Sequence, residues 1–133
     1  MSEEEYPKRL LKALERLEKE GEKVVYVFSA MPRRYMDERS AAMARVGALD
    51  EKKMSSWVVV TEENLVFIRT GLVRNRVDKF PLDKIEDVEY VDEFQDNTLK
   101  IRVSGGAENV RFYDDVDGIR FYQHMKFRDR GQE

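Results

Sequence analysis

The stretch SWVVVTEENLVFIRTGLVRNRVDKFPLDKIEDVEYV, residues 56–91, decides the fold. Two apolar runs, residues 57–60 and 65–68, flank Thr61-Glu62-Glu63-Asn64, four polar residues suited to a tight hairpin turn. Thr70-Gly71 marks a second turn before residues 73–80, and Pro81-Leu82-Asp83-Lys84 opens a further run over 85–91. The connections are too short to hold crossover helices, so successive strands must pair antiparallel.

Downstream the same grammar continues. An acidic loop ends in Asp96-Asn97, and a strand over 98–104 turns Leu99, Ile101 and Val103 inward with Lys100 and Arg102 outward. Gly105-Gly106 makes the next hairpin, and Val110 and Phe112 carry the inward face of the last strand. Asp114 or Asp115 caps a closing helix over 114–127, with Asp117 in its first turn. On this helix Val116, Ile119 and Tyr122 are expected to face the core, with Met125 and Phe127 at the margins. Phe121, at the edge of that face, is a candidate partner contact.

Upstream, Pro7 suits the first turn of a helix over 7–20, and Gly21 suits the position just past its end. Leu10, Leu14 and Leu17, with Leu11 and Ala13 beside them, form one apolar stripe that fits packing on the chain's own sheet. Residues 22–30 form the first strand. It is apolar on both faces, so a second cover is expected, and the preceding helix is the obvious one.

The order and spacing of these motifs carry a resemblance. The valines ending in Thr61, the polar turn and Leu65-Val66-Phe67-Ile68 resemble the hairpin of bacterial pleckstrin-homology (PH) domains. Phe80-Pro81-Leu82-Asp83-Lys84-Ile85 is similar to the step that follows it in their short, YokE-like branch. The resemblance covers roughly residues 22–127. It departs at Asn64, where a basic residue is common, and at a long insert over 31–53. It implies an α+β, mainly β fold: a seven-stranded antiparallel β-roll over 22–113 capped by the C-terminal helix, with the N-terminal helix an addition. One domain over 1–133 is expected. The fold is a binding platform reused for many ligands, so it does not by itself name one.

Composition narrows the function. With 24 basic and 27 acidic side chains the net charge is −3, which argues against a bulk nucleic-acid binder. The absence of cysteine excludes a disulfide-stapled extracellular class and thiolate metal sites. No apolar run approaches the ~20 residues of a membrane span, and the acidic start is unlike a signal peptide, so a cytoplasmic location is expected. The lone histidine, His124, has neither a second histidine nor a cysteine to complete a metal site. There is no G-x-S-x-G, P-loop or G-x-G-x-x-G, and the carboxylates of 83–96 sit in a strand-and-loop block that reads as a solvated edge. Neither enzyme nor cofactor is expected, and a divalent-ion hydrolase built on that acidic block is disfavoured.

Charge is nonetheless uneven. Residues 83–96 hold seven acids and one base, whereas 69–79 hold Arg69, Arg74, Arg76 and Lys79 against Asp78 alone. In the domains this chain resembles, the loops after strands one and three share an open rim, where eukaryotic relatives take phosphoinositide headgroups. By that resemblance Arg33, Arg34, Arg74 and Arg76 are candidates for an anion-binding rim, taking an anionic lipid or a phosphorylated ligand weakly. The insert carries Met36 and Met43 at a spacing that sets a soft apolar edge on a short helix, a second candidate contact surface. The leading expectation is a non-catalytic module that binds another protein or a second copy of itself; the arginine rim is the alternative.

Overall fold

In the computed structural model, residues 6–35, 56–70, 75–91 and 98–128 are described. The first helix, α1 (Lys8–Lys19), starts after Pro7 in extended conformation and stops at Glu20. Gly21 follows with φ +93°, and the Gly21 and Glu22 amides donate to Glu18 O and Leu17 O at 3.0 Å each. This left-handed cap satisfies carbonyls that the helix end would otherwise orphan, and it is the reason a glycine stands there.

Seven strands follow: β1 (Val24–Pro32), β2 (Ser56–Thr61), β3 (Asn64–Arg69), β4 (Arg76–Pro81), β5 (Ile85–Tyr90), β6 (Thr98–Val103) and β7 (Gly106–Phe112). Short 3-10 turns, Arg33–Tyr35 and Leu82–Lys84, follow β1 and β4. All pairings are antiparallel, in the order β4-β3-β2-β1-β7-β6-β5. β1 joins the two halves of the roll. Its residues from Val24 to Ser29 pair with β2, and Ala30, Met31 and Pro32 pair with β7. The hairpin expected at 61–64 closes with only Glu62 and Glu63 between the strands. Thr61 Oγ1 takes the Asn64 amide at 2.9 Å, a side-chain substitute for the missing glycine.

Alternation along β2 and β3 sends side chains to two cores. Val58, Val60, Leu65 and Phe67 point into the roll, where they meet Phe28, Leu99, Ile101, Val110, Phe112 and Phe121. Trp57, Val59, Val66 and Ile68 point to the other face, where Leu10, Ala13 and Leu17 of α1 cover them. The second cover therefore lies chiefly over β2 and β3. β1 shares it through Val24 and Val27, while Val25 and Tyr26 stay exposed. The closing helix, α2 (Asp115–Arg128), begins where the Asp114 carboxylate accepts the Val116 amide at 2.8 Å. No helix among the described residues is long and apolar enough to cross a membrane.

Candidate interaction surface

At one end of the roll the exit of β1 is bolted to β4 and β7. Arg34 donates to both Glu108 oxygens, Nε to Oε1 at 2.7 Å and Nη2 to Oε2 at 2.8 Å, and Nη1 donates to Asp78 Oδ1 at 3.0 Å. Arg76 Nε reaches Asp78 Oδ2 at 3.2 Å, and its guanidinium lies 4.9 Å from the centre of the Tyr35 ring. The buried Tyr35 hydroxyl donates to Asp78, and Arg69 donates to the Tyr35 carbonyl. Burial first, then the hydrogen bond to Asp78 and its charge, push the Tyr35 phenol well above its ordinary range.

The segments 36–55 and 71–74 thus leave from adjacent points. Arg34 and Arg76 do come together, but around Asp78, so their donors face protein carboxylates. Arg33 is exposed on the turn beside them. Arg74, Met36 and Met43 lie outside the described residues. Sequence inspection had no signal for the carboxylate partners, which lie 44 and 74 positions from Arg34.

At the opposite end, Glu22 ties the start of β1 to the β2–β3 turn. Its carboxylate accepts from Thr61 Oγ1 at 3.1 Å and Asn64 Nδ2 at 2.6 Å, and Lys79 Nζ sits 2.7 Å away. Asn64, the departure from the family pattern, is here a structural donor. Burial alone would raise the Glu22 pKa. The hydrogen bonds from Lys79, Asn64 and Thr61, with the Lys79 charge, outweigh it and leave the carboxyl below its usual value.

Glu22→Gln should therefore cost about 1–2 kcal/mol at pH 7, the lower part of the range for charged hydrogen bonds because Lys79 is open to solvent. A carboxyl with a depressed folded pKa stabilises fully above its unfolded value, about 4.3 for glutamate, and loses that contribution as pH falls through the folded value. The gap between parent and variant in urea melts should accordingly close below that pH. A gap that stays constant from pH 7 to 3 would show that the charge contributes nothing.

The surface of α2 differs from the sequence expectation. Phe121 is 0% exposed; its ring lies 6.0 Å from Phe28 and 5.1 Å from Phe112, centre to centre. It is a core residue and cannot meet a partner. Gly118, Phe121 and Met125 make the buried face with Tyr122 beside them. Val116 and Ile119, expected inside, are 51% and 46% exposed, and Phe127 is 56% exposed. The physical reason is the step size. Residues 116, 119 and 122 advance by threes and drift around a helix of about 3.6 residues per turn, whereas 118, 121, 122 and 125 stay on one side.

The flanks of α2 are fixed. On one side Tyr122 stacks on Tyr90, ring centres 5.1 Å apart, and Lys126 pairs with Asp87. On the other, the His124 ring meets Tyr26 edge-on at 5.0 Å. Burial, then the nearby Arg128 guanidinium, hold His124 below its usual pKa and so neutral at pH 7. What faces solvent is a row of Val116, Ile119, Arg120, Gln123 and Phe127. A shallow recess of about 510 Å³ lies beside it, with Tyr26 and His124 among its walls. The signal that would have found this face was the 118-121-122-125 pattern, hidden because a glycine does not register as apolar.

Among the described residues no group of three His, Cys, Asp or Glu side chains is placed to hold a metal ion. No curated protein and no solved structure matches the chain. A family model described as bacterial PH domain matches residues 19–118, which spans the whole roll and leaves out most of α1 and the C-terminal part of α2. With the seven-stranded order, the bridging β1 and the closing helix all in place, the chain belongs to the bacterial PH domain family.

Proposed function

We propose that this chain is a non-catalytic, protein-binding member of the bacterial PH family, and that the solvent face of α2 is its contact surface. Family membership supports a binding module, since PH domains are generally non-catalytic. One observation carries the choice of surface: Val116, Ile119 and Phe127 lie half exposed in a row on one helix face, next to a recess, while the stripe of α1 is covered by β2 and β3. Rows of large apolar side chains left in water on a small domain mark contact sites.

The test places a photo-activatable residue at 119, or at exposed position 12 on α1 as control, in cells making the protein. Adducts of discrete mass are expected at 119 and are expected to vanish with Phe127→Glu. Equal adducts at both positions, or none at 119, would refute the surface.

The second proposal is anion binding at the arginine rim. What favours it is the meeting of Arg34, Arg69 and Arg76 where β1, β3 and β4 come together, four arginines with Arg33 against Asp78 and Glu108. What weakens it is that Arg34 already fills its fork with those two carboxylates.

A further inference from the structure

We infer that the recess beside α2 takes a carboxylate side chain of a partner protein, with a large apolar side chain of the same segment seated against Tyr26 and Phe127. This rests on the assignment of the α2 face as a contact surface and states the chemistry of its partner. The recess, about 510 Å³, is walled by Tyr26, Arg120, Gln123, His124, Phe127 and Arg128. It combines a phenol, a phenyl ring, two guanidinium groups, an amide and an imidazole, and no carboxylate is among its walls. Arg120 and Gln123 are exposed and make no hydrogen bond or ion pair among the described residues. Lys126, on the opposite flank of the helix, is the contrast, since Asp87 already neutralises it.

Arg120 and Gln123 stand three positions apart, so they are neighbours on the helix surface. The guanidinium offers a fork of N–H donors, and the Gln123 amide adds its own, to one incoming carboxylate. Phe127 follows about one turn after Gln123, roughly 6 Å along the axis. A carboxylate and an apolar side chain reach both when they lie two residues apart on an extended segment or one turn apart on a helix. The wider surface sets the polarity of the fit. Past His124 and Arg128, which it shares, a second recess of about 580 Å³ carries Glu62, Glu63 and Asp83. Acidic groups of the partner are therefore drawn to the Arg120 end and repelled from the other. An anionic bilayer laid across the whole face would meet those carboxylates, on a chain of net charge −3. A short protein segment avoids them, and so fits better than a lipid surface.

His124 is the only histidine of the chain, so its imidazole resonances report on the recess directly. The probe is a short synthetic peptide with glutamate two positions before phenylalanine and serine elsewhere. Titrated into the full chain, it should shift the His124 resonances to saturation. The same peptide with lysine for glutamate, or with serine for phenylalanine, should bind at least about tenfold more weakly. Arg120→Glu should reverse the preference between the glutamate and lysine peptides, and Arg120→Lys should keep it. Circular dichroism confirms that the variants fold, and Gln123→Glu repeats the loss if Arg120→Glu does not. Equal binding of the glutamate and lysine peptides, or no shift with either, overturns the inference. Arg120-dependent sedimentation with phosphatidylglycerol vesicles would assign the face to lipid and overturn it as well, as would adducts in cells formed only between copies of this chain. If the peptide fails while position 119 still yields adducts with another protein in Arg120→Glu, the contact surface stands and the acidic partner falls. If the peptide fails and position 119 yields no adduct, both fall.

Discussion

Phe121→Ala is expected to destabilise the fold by about 3–5 kcal/mol, whereas Phe127→Ala, six positions on, should change stability by no more than about 0.5 kcal/mol. Both are phenylalanines on one helix, and only their direction differs. Phe121 lies against Phe28 and Phe112 with no solvent exposure, so its removal loses the transfer energy of an aromatic ring and leaves a cavity under α2 that rigid strands β1 and β7 cannot collapse to fill. Phe127 is more than half exposed and gives up little on truncation. Urea melts at dilute protein concentration, below any association, decide between them. Equal losses, or a larger loss at Phe127, would mean that α2 is rotated about its axis and that the face proposed for docking is the buried one.

The pair also shows what was legible in the sequence. The β2–β3 hairpin was, because two apolar runs around a four-residue polar turn admit one pairing, and because the strands bury both faces and so carry an unbroken apolar signal. The inward positions of β6 were equally plain from alternation: Leu99 and Ile101 are fully buried. The orientation of α2 was not. Its buried face includes Gly118, which has no side chain to announce itself, and Val116 and Ile119 are apolar where an amphipathic helix would be polar.

The candidate site divides the same way. That arginines following strands one and three come near one rim followed from the family resemblance, and Arg34 and Arg76 meet at Asp78. That Arg34 is held by Glu108 and Asp78 did not, because nothing local in the sequence links positions 34, 78 and 108; only the register of β1 on β7 and of β3 on β4 brings them together. Such long-range polar pairs are products of topology, and a propensity or a period carries no trace of them.

Leu10→Ala is expected to cost about 2–5 kcal/mol, as for a fully buried core leucine, although α1 lies almost wholly before the stretch that matches the family. The reason lies in β2 and β3. Trp57, Val59, Val66 and Ile68 make an apolar face on the outside of the roll, and Leu10, Ala13 and Leu17 are what keep water from it. A sheet with side chains of this kind on both faces needs a cover on both, so α1 is part of the folding unit of β2 and β3. Lys12→Ala, one residue from the buried Ala13 but pointing into solvent, serves as the control and should shift stability by no more than about 0.5 kcal/mol. Chemical denaturation of parent and both variants, followed by Trp57 fluorescence, reports directly on the covered face, since the only tryptophan of the chain sits under α1 with the Tyr6 ring 6.0 Å from it. A single transition shared by fluorescence and circular dichroism is expected, moved to lower denaturant in Leu10→Ala. If Trp57 instead becomes exposed in a separate, earlier step while the roll stays folded, α1 is a detachable cover. The β2–β3 face beneath it would then be a second apolar surface open to a partner, in competition with the face of α2.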